Sequence, residues 1–539
     1  MLFLNVNLNL SLNQMKKFEV RNSKFEKMGL RRFPWRYAVC AASLLGLPAI
    51  AGIPAVGPDY HGPPPIETPC TFKNAEWKKA QPHDALPRGD WWKVFADPVL
   101  NEIEAQAVGA NQDIALAVDR IAEVQSQVRV AAADFFPNVD TEPSAVRERT
   151  TNTGPFQRGE LLGNNPFATL GAPAASGAST SSATSTSSAP LVLDTQPLSS
   201  TYNVFSFPLD LNWELDLFGR VRRNKEAARA TAQAAMADYH NTLLSITANV
   251  AGTYYDIRAL DAEIGVLEHT ISTRQEGLRI ARERLDAGMT SDLDVTRASE
   301  NLAENQADLF SVRRSRQEME NALATLLGQP ASGFRLARRA LVDTRMPNIP
   351  PGLPSTLLER RPDVATAERQ LAASNARIGV AVAAFFPVIR LTGAAGFESA
   401  DMGDLLDWQS RMWQIGPSIT FPIFEGGRNL ANLRGAQARY REQVDTYRKQ
   451  VLIAFQDVET ALGDLHSLSD QSDAQERAVA AAVRALQLSE SQYGKGASNF
   501  LDVLDAERTL LSDERISVQL LGQRLQATVQ LIKALGGSW

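Results

Sequence analysis

Among the 539 residues of this chain, the side chains best placed for chemistry lie in one short stretch. In "YGKGASNFLDVLDAE", Tyr493 to Glu507, Asp502 and Asp505 stand three apart, which puts both carboxylates on one face of a helix. Asp502 has a structural task available, because it follows by three residues Asn499, a good cap for a helix restarting after the glycine break at Gly496. A second stretch, "LDAGMTSDLDVTRAS", Leu285 to Ser299, carries the same Gly-x4-Leu-Asp-Val pattern, with Gly288 lying 208 residues before Gly496. The spacing predicts two helical hairpins in which Gly288 or Gly496 ends one helix and Ser291 or Asn499 caps the next. Asp294 and Asp502 then favour the free N–H groups and positive dipole of each restarted helix. Asp505 is different, since its counterpart in the other copy is Arg297 and it lies beyond the first turn.

Little else in the chain suggests catalysis or cofactor binding. Five scattered histidines and two cysteines give no metal-ligand spacing, and no glycine-rich phosphate loop follows a strand. A net charge of −6 without an extended basic block argues against nucleic acid as a partner. The run "ERRPDV", Glu359 to Val364, could hold an anion, but Pro362 at a first helical position with Asp363 beside it reads as a helix start. "NQDI", Asn111 to Ile114, occupies the equivalent place in the first copy.

The elements that carry these residues repeat. "LFGR" ending at Arg220 pairs with "EGGR" ending at Arg428, and "TLLG" ending at Gly328 with "KALG" ending at Gly536, each 208 residues apart. "AAADFFP" ending at Pro137 pairs with "AVAAFFP" ending at Pro387, so the first copy holds 42 extra residues between its Phe-Phe-Pro and its Gly-Arg. That insert contains "ASGASTSSATSTSSAP", Ala175 to Pro190, which belongs on an exposed loop.

After Arg220 the apolar residues Leu243, Ile246, Val250, Tyr254, Ile257, Leu260, Ile264, Leu267 and Ile271 fall at steps of three and four, one continuous helical seam. The second copy repeats it at Val451, Ala454, Val458, Leu462, Leu465 and Leu468. At 1.5 Å per residue the first helix is roughly 100 Å long, which suits a coiled-coil stalk or tube. Before each long helix the period shortens to two. Phe205, Phe207, Leu209, Leu211, Trp213 and Leu215 alternate with polar residues, and the parity returns at Trp413, Ile415, Ile419, Phe421 and Ile423. Further alternating segments follow each Phe-Phe-Pro, at Asn138 and Val388, giving four strands, two per copy. Such strands of about ten residues suit either a transmembrane sheet or a half-buried soluble one. Four cannot close a barrel, so if they span a membrane the chain must oligomerise.

"MGLRRFPWR" from Met28 and the apolar "YAVCAASLLGLPAIAGIPA", Tyr37 to Ala55, read as a secretory leader with cleavage after Ala51 or Ala55, the alternative being a retained anchor. Residues 1–27 form an upstream extension. Export would leave Cys70 as the sole cysteine of the mature chain, with no intramolecular disulfide. The organisation expected is residues 1–55 as extension and leader, 56–108 as an N-terminal periplasmic segment, 109–345 as a first repeat with an external loop over 150–200, and 346–539 as a second. The hairpin turns fall at 285–292 and 493–499.

The motifs "VGPDYHGPP" (Val56 to Pro64), "WWKVFADPVLNEIEAQA" (Trp91 to Ala107), "LLERRPDVATAERQLAASNARIGVAVAAFFP" (Leu357 to Pro387) and the two Gly-x4-Leu-Asp-Val turns run across most of the mature chain. In them the sequence resembles the outer-membrane efflux protein family, the TolC-like outer-membrane factors, in their NodT-like branch. The resemblance implies a mainly α fold with a transmembrane β part. Three copies would form a twelve-stranded barrel in outer-membrane lipid, continued by a periplasmic α-barrel. It implies as partners a periplasmic membrane-fusion (adaptor) protein and an inner-membrane RND-type pump, and no cofactor or metal. The function implied is a non-enzymatic exit duct of a Gram-negative efflux system. A duct for type I protein secretion, or a secreted coiled-coil adhesive protein, are the alternatives.

The resemblance also places Asp502, Asp505, Tyr493 and Asp294 at a periplasmic gate, where three copies would gather six carboxylates into a cation-favouring ring. It places Gly288, Gly496, Leu293, Leu501, Val295 and Val503 at the hairpin turns that dock the adaptor. Two departures stand out. Where the branch carries a lipid-modified cysteine this chain has Ile53 and Pro54, and neither Cys40 nor Cys70 follows a good lipobox, so no lipidation is expected. Related channels have a basic latch residue near the Ser498 position, which here is neutral.

Overall fold

Glycines in the left-handed region set the ends of the long helices. The computed structural model describes residues 55–63, 71–72, 75–76, 90–149, 201–339, 341, 347 and 360–537, all within one compact unit, Pro54–Trp539. The expected leader, Cys40, Cys70 and the Ser/Thr-rich segment Ala175 to Pro190 lie outside the described residues. Helix α1 spans Pro98–Ala110 and α2 Gln112–Ala133; α3 runs Arg220–Asp286 and α4 Asp292–Leu326; α5 covers Pro362–Ala383, α6 Arg428–Gly494 and α7 Phe500–Ala534. The lengths match in pairs: 22 residues for α2 and α5, 67 for α3 and α6, 35 for α4 and α7. No helix among the described residues is long and apolar enough to cross a membrane.

The two hairpins close the same way. Gly288 has φ 69° and Gly496 φ 71°, a conformation that a side chain would strain. Met289 N–H donates to Arg284 O and Gly288 N–H to Leu285 O, both at 2.8 Å; Ala497 N–H donates to Gln492 O at 2.9 Å and Gly496 N–H to Tyr493 O at 3.0 Å. These paired bonds satisfy the last carbonyls of α3 and α6 and turn the chain back.

The predicted seam of α3 is the core of the helical part. Val250, Tyr254, Ile257, Ile264 and Leu267 are all but fully buried, against residues of α1, α2, α4 and α7. Trp91 and Phe95 of a short 3-10 turn, Trp91–Phe95, pack onto the same stretch, with Trp91 Nε1 donating to Thr247 Oγ1 at 3.1 Å and the Tyr254 hydroxyl to Asp97 Oδ2 at 2.7 Å. The α6 seam departs from expectation. Val451, Ala454 and Val458 are buried, but Leu462 is 38 % exposed and Ala461 takes the inner position. There α6 packs chiefly on α7 rather than inside a ring of helices, so its inner stripe is narrower.

Besides a two-residue antiparallel pair, Thr71–Phe72 with Ala75–Glu76, one sheet holds β1 (Asn138–Asp140), β2 (Ser144–Arg149), β3 (Thr201–Leu215), β4 (Val388–Ser399) and β5 (Arg411–Thr420). All neighbours are antiparallel: β1 and β2 pair with β3, β3 with β4, and β4 with β5. β1 and β2 keep one register on β3 and amount to a single strand whose ladder lapses between Asp140 and Ser144. Pro143 lies in that gap and Pro208 opposite it, and neither can donate to a ladder. The second copy's alternating run ends earlier than its parity suggests. Phe421 and Ile423 lie past the end of β5 at Thr420, because β4 begins at Val388, the partner of Thr420, and offers nothing to pair with them.

Register sorts the side chains of the sheet. The cross-strand rows Leu209–Ala395–Trp413, Leu211–Gly393–Ile415, Trp213–Leu391–Pro417 and Leu215–Ile389–Ile419 are apolar throughout. The alternate rows, such as Asn212–Thr392–Gly416 and Glu214–Arg390–Ser418, are polar or small. On the apolar face Trp413, Ile415 and Ile419 are at least 66 % exposed.

The elbow between sheet and helices is braced across the two copies by stacking of Phe218 on Phe386, with centroids 4.8 Å apart. The segment after Ala55 straps over this junction. Arg223 donates to the Val56 and Gly57 carbonyls and pairs with Asp59 at 2.6 Å, and a Cβ on Gly57 would stand only 2.5 Å from Gly379 Cα.

Candidate functional site

The residues singled out in the sequence gather at the two hairpin turns. At the second turn Asn499 and Asp502 form a reciprocal capping box: Asp502 N–H donates to Asn499 Oδ1 at 3.0 Å and Asn499 N–H to Asp502 Oδ2 at 3.3 Å. Asp502 therefore has its helix-start role and keeps an exposed carboxylate. Asp505, one turn on, is exposed too, and among the described residues no side chain pairs with its carboxylate. Its backbone carbonyl accepts from Thr509 Oγ1.

The first turn is built differently from expectation. Ser291 occupies the cap position but its hydroxyl makes no capping bond. The neighbouring Thr290 Oγ1 instead donates to Asp294 Oδ2 at 2.7 Å, so Asp294 is held from the turn rather than by the cap. A hydroxyl on Ser291 reaches less far than the Asn499 amide, and Thr290 takes the carboxylate first.

Tyr493 sits where α6 ends, half-buried, its ring 5.4 Å from that of Phe500. The guanidinium of Arg284, from the last turn of α3, lies over its other side at 4.8 Å from the ring centroid. Arg284 was not legible as a site residue, since a basic residue near a helix C-terminus is already accounted for by the helix dipole. At the turns themselves Leu293 and Leu501 are exposed and Met289 is 74 % exposed, whereas Val295 is half-buried and Val503 buried. The four turn residues thus split into two that face solvent and two that pack. Ser498 Oγ is enclosed with no hydrogen-bond partner among the described residues.

"ERRPDV" resolves into a staple. Pro362 opens α5 as read, while Arg361 pairs with Asp363 at 2.7 Å and Asp457 at 2.9 Å and donates through Nη1 to Ala534 O, the end of α7, at 3.0 Å. Asn111, its counterpart, donates to Leu326 O at the end of α4 at 2.8 Å. Two unlike residues cap corresponding helix ends, and the 208-residue spacing of Leu326 and Ala534 was the signal available for finding them.

The geometry is therefore of long paired helices ending in solvent-facing turns, joined to a small sheet with one apolar face. The model of the family described as outer membrane efflux protein matches residues 105–329 and 353–537. The chain belongs to the outer membrane efflux protein family. Relatives in that family include the pyoverdine export outer membrane protein OpmQ of Pseudomonas aeruginosa, 32 % identical over 85 % of this chain and 89 % of its own length. The cation efflux system protein CusC of Escherichia coli (strain K12) is 29 % identical over 90 % of this chain and 96 % of its own. The solved outer-membrane channel OprN superposes with a TM-score of 0.73 at 29 % identity, covering 90 % of this chain and 99 % of that one. As an outer membrane efflux protein, the chain is an efflux channel of the Gram-negative outer membrane, with a helical portion in the periplasm.

Proposed function

We propose that three copies of this chain form the exit duct of a tripartite RND-type pump, passing small solutes from an inner-membrane pump and periplasmic adaptor to the exterior. The observation that carries this reading is the sheet: four antiparallel spans with an apolar face and two open edges, β1 with β2 on one side and β5 on the other. Unpaired backbone at a sheet edge is costly in lipid, and closing the circle with copies removes both edges. Three protomers give twelve strands, within the range of outer-membrane barrels.

In this reading each protomer is an internal two-fold repeat, 109–345 and 346–539, as the matched helix lengths support. The paired hairpins line the periplasmic end of a helical tube. Exposed Leu293, Leu501 and Met289 receive the adaptor, and Asp502 with Asp505 faces the narrowest point. The chain performs no chemistry, energy coming from the inner-membrane partner. Relatives named for pyoverdine export and cation efflux favour small solutes over secreted proteins as cargo.

The test is covalent. Cysteines placed singly along β1 and β2, each combined with one at Gln414 or Ile415 of β5 in a Cys70→Ser background, should yield a disulfide-linked trimer on a non-reducing gel at one register. A chain that stays monomeric at every register would end the barrel reading.

A further inference from the structure

About 18 Å above the hairpin turn, by the rise of twelve residues between Arg274 and Asp286, a cavity of about 260 Å³ opens between α3, α4 and α7. Its lining includes Arg274, Glu304, Asn305, Asp308, Arg508 and Arg515. Arg274 and Asn305 are almost wholly buried, at 5 % and 3 % exposure. Their hydrogen-bonding capacity is not used up. Arg274 Nη1 donates to Asn301 O at 3.2 Å, but Nη2 has no acceptor, and Nε stands 3.5 Å from Glu507 Oε2 without forming a hydrogen bond. Asn305 Nδ2 has no acceptor either. Buried donors left open in this way each cost folding free energy that a bound acceptor would return.

We propose that this cavity binds a small oxyanion of the phosphate or sulfate type, held by Arg274 and Asn305 with Arg508 supplying charge. Donors from three helices meet there, and the open Nη2 of Arg274 and the open amide of Asn305 can each meet an oxygen of one oxyanion. Arg508, exposed beside the cavity, has no carboxylate within ion-pair distance among the described residues, so its positive charge is open to an anion. The acids in the wall are mostly engaged: Arg515 holds Asp308 at 2.8 Å and Glu263 at 2.9 Å. Glu304 is exposed, where solvent screens its repulsion. Burial draws the Arg274 guanidinium below its ordinary value and pushes up the carboxyl of Glu507, its ion-pair partner. The site lies within one protomer and does not rest on the gate.

Isothermal titration of the full-length, detergent-solubilised protein with inorganic phosphate, in chloride at constant ionic strength, tests this. Saturable binding near one equivalent per protomer is expected, weakened at least about tenfold by Arg508→Gln and by Asn305→Ala, the loss expected for one charge-assisted or buried hydrogen bond. Arg279→Gln, at an exposed arginine held by Glu276 and Glu283, should leave the affinity unchanged. Absence of saturable heat, equal affinity in the parent and both cavity variants, or an equal loss in Arg279→Gln would each overturn the site.

Discussion

The Arg284 guanidinium lies 4.8 Å from the centre of the Tyr493 ring, joining the last turn of one 67-residue helix to the last turn of the other. The two residues are 209 apart in sequence, and the contact ties the two hairpins of a protomer together. If the tip opens by separating those hairpins, this cation–π pair opposes opening.

A cation–π contact at a partly exposed site stabilises by about 0.5–1 kcal/mol. Arg284→Gln should therefore raise the ratio of open to closed dwell times by about two- to fivefold in single-channel recordings. Tyr493→Leu, which keeps the packing on Phe500 but removes the π face, should do the same. Unchanged dwell times in both variants would show that the pair is only surface decoration.

The two turns should respond unequally to loss of their caps. Asn499→Ala removes a reciprocal capping box and should cost about 0.5–2 kcal/mol locally, seen as faster amide hydrogen exchange at Asp502 and Val503. Ser291→Ala removes a hydroxyl that caps nothing, and exchange at Asp294 should barely change. Thr290→Val, by contrast, should loosen the first turn by freeing Asp294.

Glu104 predicts a pH dependence. It is fully buried on α1, neither carboxyl oxygen makes a hydrogen bond of good geometry, and burial pushes it up to about 9, opposed by the Ala251 backbone. The folded value lies above the unfolded one. The proton it retains therefore favours the folded state fully below about pH 4.5, and that contribution is lost as pH rises towards 9. The loss is on the order of a few kcal/mol per protomer. Thermal unfolding at pH 5 and pH 8.5 should show the parent weakened at the higher pH and Glu104→Gln much less so. Identical pH slopes would mean that the carboxyl reaches water or a partner.

Much of this architecture was legible because it rests on local rules. Gly288 and Gly496 mark helix ends since only glycine adopts their backbone freely, and the steps from Val250 to Leu267 mark a buried face since a helix repeats every 3.6 residues. The capping role of Asp502 followed from its distance to Asn499. Distant partners left no such trace. Nothing local ties Arg361 to the Ala534 carbonyl or Arg284 to Tyr493, and nothing local marks Arg274 and Glu104 as enclosed by the packing. Ser291 departs for a subtler reason, because Thr290 and Ser291 adjoin and a spacing rule does not say which of the two engages Asp294. Phe421 and Ile423 kept the strand parity without a partner strand to pair with.

Current through the purified protein in a planar bilayer tests the duct and the proposed acidic constriction together. Stepwise conductance is expected, with block by divalent cations added on the side of the hairpin turns. Asp505→Ala should lose most of that block while the trimer stays as stable as the parent, since among the described residues no side chain pairs with the Asp505 carboxylate. Equal block in parent and variant would remove Asp505 from the constriction, and a protein that inserts without any conductance steps would contradict the duct itself.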